Sequence, residues 1–253
     1  MRPSAGEVRV PLTAGGAVSR LPDGGADSTP PPDPPFRILF VCTGNICRSA
    51  AAERLTRLHL ENALGGGASR VQVASAGTRA LVGAPVHPDT ADVVRALGGD
   101  VERFTARQLH RTMLSEADLV LTMTTEHRTT ALGLEPRALS RTFTLREAAD
   151  LVALVVDAPA AVDRPAEDRP RSLAQRMAAA RSRRDRGAAD DITDPINRPA
   201  EIHREVAEAV SACLRPVLQA VVADLRDRGA LTLAAAPARP AEVAPVAGPT
   251  SST

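Results

Sequence analysis

The stretch RILFVCTGNICRSAAAERLTRLHLENAL, residues 37–64, decides the fold of this chain. Its first part, residues 37–42, is a short apolar run typical of a buried strand. Its last part, residues 49–64, carries Leu55 and Leu58 at helical spacing and is followed by three glycines, which end helices. The loop between the two parts therefore connects the carboxyl end of a strand to the amino end of a helix.

Strands and helices continue to alternate after this unit. Further strands are predicted at VQVASAG (71–77), ADLVLTM (117–123) and RTFTL (141–145). Further helices are predicted at 90–99, at 125–134, near 171–183 and at 199–225, the last of them interrupted by Pro216. This alternation favours an α/β fold of three layers, in which helices cover both faces of a parallel sheet.

Both ends of the chain have a different composition from its middle. Residues 1–35 are rich in Pro and Gly and show no helical or strand period, which predicts a disordered arm. Residues 229–253 are rich in Ala and Pro and predict a disordered tail. The folded domain is expected to span residues 36–228, with a charged, irregular segment at 157–190.

The composition excludes several classes of function. The 253 residues carry a net charge of +1, so neither a nucleic acid nor an acidic membrane surface is expected as a partner. Cys42, Cys47 and Cys213 are too few for a disulfide scaffold and fit the reducing cytoplasm. No uninterrupted run of about 18 apolar residues occurs, so no membrane-spanning segment is expected.

The loop CTGNICRS, residues 42–49, has the residue types of an anion site. Backbone N–H groups at the amino end of a helix attract a phosphate, and the guanidinium of Arg48 can bind two phosphate oxygens at once. The same positive field favours the thiolate form of Cys42, which makes this residue a nucleophile. The predicted phosphate-binding residues are Thr43, Gly44, Asn45, Ile46, Cys47, Arg48 and Ser49.

Two residues of this loop have further predicted roles. Gly44 is expected to take backbone angles that other residues resist. Cys47 is either a small packed residue or a redox partner that captures oxidised Cys42 in a disulfide, and both interpretations stay open.

The histidines predict no metal site. His59, His87, His110, His127 and His203 lack a short ligand spacing such as H-x-x-x-H. Since a cysteine nucleophile needs no metal, no cofactor is expected.

Three motifs together resemble the low-molecular-weight protein tyrosine phosphatase family. CTGNICRS (42–49) is similar to the phosphate loop of that family, SAGT (75–78) to a segment after its second strand, and DITDP (191–195) to its late acid loop. The resemblance covers about residues 36–225 and implies a four-stranded parallel sheet with flanking helices.

The resemblance also implies a role for each matching residue. Cys42 would be the nucleophile that forms a phosphocysteine, Arg48 would bind the phosphoryl group, and Asp194 would be the general acid. Asn45 would brace the loop, and Ser49 would assist the thiolate. The implied activity is the hydrolysis of phosphate monoesters by a protein tyrosine phosphatase.

The substrate side of the site differs from that of relatives that act on phosphotyrosine. Where those relatives usually have tyrosines after the Asp-Pro dipeptide, this chain has Ile196 and Asn197. Together with Ile46 they are predicted to form the substrate wall. The expected substrate is a phosphorylated protein carrying phosphotyrosine, or a small phosphate ester, and the sequence indicates no oligomeric state.

Alternatives remain for the acid and for the function. Asp190 and Asp191 stand close to Asp194 and could take its role. An arsenate reductase on the same fold would use the same loop, although it needs late cysteines and only Cys213 follows Cys47. A non-catalytic phosphate-binding module is the second alternative.

Overall fold

The computed structural model describes residues 34–156, 169–185 and 189–235. Most of the predicted arm at 1–35, and the predicted tail from residue 236 onward, lie outside the described residues. So do residues 157–168 and 186–188 of the charged segment.

Four strands form one parallel sheet. β1 (Phe36–Cys42) pairs with β2 (Val71–Gly77) on one side and with β3 (Leu119–Thr122) on the other, and β4 (Thr142–Thr144) pairs with β3. The strand order is β2-β1-β3-β4. The predicted four-stranded parallel sheet is therefore confirmed. Because β1 is a central strand, the loop that follows it opens at the middle of the carboxyl edge of the sheet.

Seven helices accompany the sheet in the described part of the chain. They are α1 (Arg48–Leu64), α2 (Pro88–Ala96), α3 (Arg111–Glu116), α4 (Thr125–Leu134), α5 (Leu145–Val156), α6 (Arg169–Ala180) and α7 (Ala200–Ala235). Short 3₁₀ turns follow α1, α4 and α6. Neither α3 nor α5 was predicted from the sequence.

The buried side chains of β1 explain why this strand reads as an unbroken apolar run. Ile38 and Phe40 join a cluster with α1, α2, α5, α6 and α7, whereas Leu39 and Val41 join a second cluster with α3 and α4. A strand covered on both faces needs apolar residues at every position. The predicted three-layer arrangement is thus present.

The predicted interruption of the last helix at Pro216 is wrong. α7 continues through this residue, which has no N–H to donate to the carbonyl of Ala212. Leu214, Val217 and Leu218 are almost completely buried on either side of the proline. Because packing holds both halves against the domain, one lost hydrogen bond does not end the helix. α7 also continues past residue 228, where the domain was expected to end.

The stretch Ala200–Arg226 of α7 is long and apolar enough to cross a membrane by length and composition. Half of its apolar window is buried inside the protein, where α7 packs against α1, α2 and α5. Here it serves as a core helix.

Candidate active site

The loop between β1 and α1 turns sharply at Asn45, which has a φ of 57°. The expectation that Gly44 supplies the unusual backbone angle is wrong, since Gly44 is not among the described residues with positive φ. Asparagine tolerates this left-handed conformation better than most residues do. The Asn45 side chain lies behind the loop, completely buried, where its Nδ2 donates to Ser49 Oγ (2.9 Å) and to Ser75 Oγ (2.8 Å).

The Cys42 sulfur lies 2.9 Å from Ser49 Oγ. Because Ser49 Oγ already accepts a hydrogen bond from Asn45, its own hydrogen is free to point at the sulfur. A hydroxyl in that orientation stabilises a thiolate. Cys42, Asn45 and Ser49 therefore form one chain of hydrogen bonds that prepares the nucleophile.

A buried carboxylate continues this chain away from the pocket. Ser75 Oγ donates to Glu53 Oε2 (2.6 Å), and Arg107 pairs with the same oxygen at 3.2 Å. The backbone N–H of Arg107 donates to Asn45 Oδ1 (2.8 Å). Neither Glu53 nor Arg107 was predicted as part of the site. A glutamate in an amphipathic helix is normally exposed, so nothing in the sequence indicates that Glu53 is buried beside Ser75.

The SAGT segment holds the phosphate loop from outside. The backbone N–H of Thr78 donates to the carbonyl of Cys42 (2.8 Å), and that of Arg79 donates to the carbonyl of Thr43 (3.0 Å). Slightly further along the chain, the N–H of Leu81 donates to the carbonyl of Gly44 (3.0 Å). In a trans peptide the next N–H points away from the carbonyl. Carbonyls bound on the outside therefore leave the N–H groups of the loop facing the pocket, as an anion requires.

Gly77 shows why this segment contains a glycine. A Cβ atom at this position would lie 2.4 Å from the carbonyl oxygen of Thr43. Any side chain larger than hydrogen would push against the backbone of the phosphate loop.

Arg48 occupies the start of α1 and is almost completely buried, with 4% of its side chain exposed. Its Nη1 donates to the carbonyl of Ile192 (3.1 Å), and its Nη2 forms an ion pair with Asp194. Ile192 in turn donates its N–H to the carbonyl of Met123 (2.8 Å), directly after β3. These hydrogen bonds hold the DITDP segment (191–195) at the carboxyl edge of the sheet, where the phosphate loop also lies.

The two rivals of Asp194 have other partners. Asp191 Oδ1 accepts hydrogen bonds from the N–H (2.8 Å) and the hydroxyl (3.2 Å) of Thr125, at the start of α4. Asp190 forms an ion pair with Arg184. Of the three carboxylates only Asp194 lines the pocket above Cys42, so the geometry favours it as the acid.

The pocket has a volume of about 210 Å³. It is lined by Cys42, Thr43, Gly44, Cys47, Arg48 and Asp194. Its remaining lining residues are Ile46, Leu81, Ile196 and Arg79. Leu81 and Arg79 were not predicted, because no signal in the sequence places the chain after SAGT above the loop.

Asn197 does not line the pocket, although it was predicted to share the substrate wall with Ile46 and Ile196. It takes a φ of 58° in the turn after the Asp-Pro dipeptide. Its physical role is to permit that turn, since asparagine is favoured at positive φ.

His127 supports the loop from α4. Its Nε2 hydrogen bonds Thr43 Oγ1 (2.8 Å), and its Nδ1 hydrogen bonds Thr124 Oγ1 (2.8 Å). Burial, together with the charge of Arg48, lowers the pKa of His127 to about 4. This imidazole is therefore neutral at physiological pH.

The other two cysteines differ in position. Cys47 is buried at the start of α1, and burial raises the pKa of its thiol to about 12. Cys213 is half-buried in α7, and burial raises the pKa of its thiol too. A relay of late cysteines, which an arsenate reductase would need, is not available in a chain with three cysteines.

The low molecular weight phosphotyrosine protein phosphatase family model matches residues 37–166, about half of the chain. The chain belongs to this family. The matched region contains the phosphate loop and the SAGT segment but ends before Asp194, so the acid is assigned on its position in the pocket.

Curated members of the family resemble the chain over less than half of its length. The low molecular weight protein-tyrosine-phosphatase Etp of Escherichia coli is 38% identical over 106 residues, which cover 42% of this chain and 66% of Etp. Wzb of Salmonella typhi, which carries the same family name, is 39% identical over 42% of this chain and 65% of its own length. The aligned part thus spans slightly less than two thirds of these relatives.

Solved structures of the family extend the similarity to most of the domain. A low molecular weight protein tyrosine phosphatase from T. tengcongensis has a TM-score of 0.53 at 26% identity, covering 73% of this chain and 98% of that chain. The arginine phosphatase YwlE from Geobacillus stearothermophilus has a TM-score of 0.52 at 26% identity, covering 78% and 97%. The predicted family and fold are confirmed.

Proposed function

We propose that this chain is a cytoplasmic protein tyrosine phosphatase that hydrolyses phosphate monoesters through a phosphocysteine on Cys42. One observation carries the proposal: Cys42, Arg48 and Asp194 line the same pocket, at the junction of a strand and a helix. A nucleophile, an anion clamp and a proton donor are the three groups that phosphoryl transfer requires.

In the first step the Cys42 thiolate attacks phosphorus in line with the ester oxygen. The S–P bond forms as the P–O bond to the leaving group breaks, and protonated Asp194 gives its proton to the departing oxygen. Arg48 and the N–H groups of the loop hold the three equatorial oxygens, over which the charge is spread.

In the second step a water molecule attacks the phosphocysteine. Asp194, now ionised, accepts a proton from the water as the new P–O bond forms. The P–S bond breaks and returns the Cys42 thiolate, which Ser49 stabilises through its hydroxyl. Inorganic phosphate leaves, and no step requires a metal ion or a cofactor.

The substrate class follows from the walls of the pocket. Ile46, Leu81 and Ile196 offer apolar surface on the sides of a charged floor, which suits an aryl group attached to phosphate. Phosphotyrosine in a protein, or a small aryl phosphate, combines these two features. Arg79 at the rim adds a positive charge for acidic residues near the phosphorylated side chain.

The decisive experiment measures turnover of a chromogenic aryl phosphate in the presence of a chelator. The native chain is expected to hydrolyse it, and Cys42→Ser is expected to lose all turnover while it still binds vanadate. Cys213→Ser is the matched control and should keep full activity, because it changes a thiol in α7 rather than in the phosphate loop. Full turnover by Cys42→Ser would overturn the proposal.

Two further measurements distinguish the phosphatase from the two alternative functions. Vanadate binding by the native chain without turnover would identify a non-catalytic phosphate-binding module. Arsenate reduction that depends on Cys42 would identify the reductase.

Because one structural relative is an arginine phosphatase, a phosphoarginine peptide should be compared with a phosphotyrosine peptide. The apolar walls predict a higher kcat/KM on phosphotyrosine.

A further inference from the structure

Three potential metal ligands meet behind the phosphate loop. The ligand atoms of Cys47, His87 and His203 all lie within 4.8 Å of one another. Cys47 precedes α1, His87 precedes α2, and His203 lies in the second turn of α7. Cys47 and His203 are buried, whereas a quarter of the His87 side chain is exposed. The catalytic steps proposed above use none of these three side chains.

Two nitrogen atoms of this cluster have no hydrogen-bond partner among the residues that the structure describes. They are His87 Nδ1 and His203 Nε2, and both are buried. Leaving a buried polar atom without a partner costs stability, so each such atom in a folded protein needs an explanation. A bound cation that accepts both lone pairs supplies one.

The surroundings of His203 resemble those of a metal ligand. Its Nδ1 is 2.7 Å from Thr90 Oγ1, and in the tautomer that carries its proton on Nδ1 the lone pair of Nε2 can bind a cation. Ligating histidines usually make such a hydrogen bond with their second nitrogen.

Asp89 adds a negative charge beside the two imidazoles. Its Oδ2 lies 3.8 Å from His87 Nδ1 and 3.8 Å from His203 Nε2. Donor atoms bound to one tetrahedral zinc ion at about 2.0–2.3 Å are separated by roughly 3.3–3.8 Å. The carboxylate is therefore close to this separation from both imidazole nitrogens, although it is not one of the three ligand atoms that lie within 4.8 Å of one another.

We propose that Cys47, His87 and His203, together with Asp89, form a binding site for a divalent cation of the zinc class behind the phosphate loop. One thiolate, two imidazoles and a carboxylate are a donor set that suits Zn²⁺ better than Mg²⁺ or Ca²⁺. The two imidazole rings are stacked, with centroids 4.6 Å apart and an angle of 17° between their planes. The partly exposed His87 ring must rotate for both rings to bind one ion.

The site adjoins the catalytic pocket through Cys47, which belongs to the phosphate loop and lines that pocket. A bound ion would hold the Cys47 sulfur as a ligand and remove it as a partner for oxidised Cys42. The cation would thus compete with the disulfide proposed for these two residues. Metal binding can be measured without turnover. An experiment can therefore contradict the metal-site proposal and leave the phosphatase proposal standing, or contradict the phosphatase proposal and leave the metal site standing.

The test uses the full chain carrying Cys42→Ser, so that the catalytic thiolate cannot bind the metal. Co²⁺, which reports on its ligands through its absorption spectrum, is titrated into the metal-free protein, and Zn²⁺ is then used to displace it. We expect one ion per chain with a thiolate-to-cobalt charge-transfer band. Adding Cys47→Ser should remove that band, and adding His87→Gln or His203→Gln should weaken binding by at least about tenfold.

The matched control is His110→Gln, which removes an exposed histidine outside the cluster and should leave Co²⁺ affinity unchanged. Thermal melting of each metal-free variant checks that it folds. If His203→Gln does not fold, His87→Gln decides, because His87 Nδ1 has no hydrogen bond to lose. A charge-transfer band that survives Cys47→Ser, or Co²⁺ affinity that is the same in His87→Gln as in the parent, would overturn the proposal.

Discussion

Arg48 and Asp194 both line the pocket and form an ion pair, so the proposed phosphate clamp and the proposed proton donor are each other's partners. Arg48 is buried, while 40% of the Asp194 side chain is exposed, so Asp194 is the more mobile of the two. A phosphate dianion that binds Arg48 competes for the same guanidinium. We infer that substrate binding frees Asp194 to turn toward the leaving oxygen.

Replacing Asp194 tests this arrangement. We expect Asp194→Asn to lower kcat by roughly 10²–10⁴, which is the usual contribution of a general acid or base. The loss should shrink for aryl esters with leaving groups of low pKa, since these need no proton. The measurement is kcat across a series of substituted phenyl phosphates.

Asp191→Asn is the matched control for that series. Asp191 is bound to the start of α4 through Thr125, so its loss should affect stability by about 1 kcal/mol and leave the leaving-group dependence unchanged. If Asp191→Asn shows the stronger dependence on the leaving group, the acid is three positions earlier than we assign it.

Gly77 provides a test of the phosphate loop that touches no reacting group. A methyl group here would lie 2.4 Å from the Thr43 carbonyl oxygen, so the loop must shift. We expect Gly77→Ala to lower kcat/KM strongly and to cost about 1–3 kcal/mol of stability, as overpacking does. Steady-state kinetics and urea unfolding measure the two effects.

Gly133→Ala is the corresponding control in α4. A Cβ atom there meets nothing within 4 Å, and Ala favours a helix over Gly by about 0.5–1 kcal/mol. This variant should be as stable as the native chain or slightly more stable, with unchanged kinetics. Equal losses in Gly77→Ala and Gly133→Ala would show that the Thr43 contact is unimportant.

Local patterns predicted the first strand, the phosphate loop and the first helix, because all their signals lie within one continuous segment. The positions of Leu81 and Arg79 could not be predicted in this way, since they depend on how the chain after SAGT folds back over the loop. Glu53 reads as an ordinary polar residue of a helix, and only the structure shows that it is buried beside Ser75.

Residues far apart in sequence account for most of what was missed. His87 and His203 have no recognisable ligand spacing, and α2 and α7 bring them together only in the folded domain. The wrong prediction of a helix interruption at Pro216 has a different cause. The proline removes one local hydrogen bond, but the packing of α7 along its whole length outweighs that loss.

The stability of the domain should fall between pH 6.5 and pH 4, in part because of His127. Its ring faces Thr43 and Thr124, and the charged groups around it are Arg48, Glu126, Asp191 and Asp194. Because the pKa of His127 is lowered to about 4 in the folded state, the unfolded chain binds this proton first as the pH falls. The stabilisation is complete above pH 6.5 and shrinks below it.

The size of this effect can be measured. At pH 5, protonation of His127 in the unfolded chain should lower the free energy of unfolding by about 2 kcal/mol relative to its value at pH 7. His127→Gln should remove that part of the pH dependence in chemical unfolding experiments. Identical slopes in both proteins would show that folding does not lower the pKa of His127.

Cys47 is predicted to protect Cys42 from irreversible oxidation when metal ions are removed by a chelator. Peroxide converts the Cys42 thiolate to a sulfenic acid, and the Cys47 thiol can displace water from it to form a disulfide. A dithiol then reduces the disulfide and restores activity. In Cys47→Ser the sulfenic acid has no such partner and oxidises further, so inactivation should become largely irreversible. Equal recovery of both proteins would contradict this role.

The last prediction concerns the substrate wall. Ile196 lines the pocket with 38% of its surface exposed, directly after the Asp-Pro dipeptide. A stacked pair of aromatic rings contributes about 0.5–1.5 kcal/mol beyond simple burial, so Ile196→Tyr should raise kcat/KM for aryl phosphates by roughly 2- to 12-fold. Alkyl phosphates should gain nothing.

Leu81→Ala should lower kcat/KM for aryl esters, because it removes part of the apolar wall. Asn197→Gly is the control. Asn197 lies outside the pocket and glycine tolerates its positive φ, so this variant should leave kcat/KM unchanged. If Ile196→Tyr gains nothing and Leu81→Ala loses nothing, the apolar walls do not contact the aryl group, and its binding surface lies elsewhere on the chain.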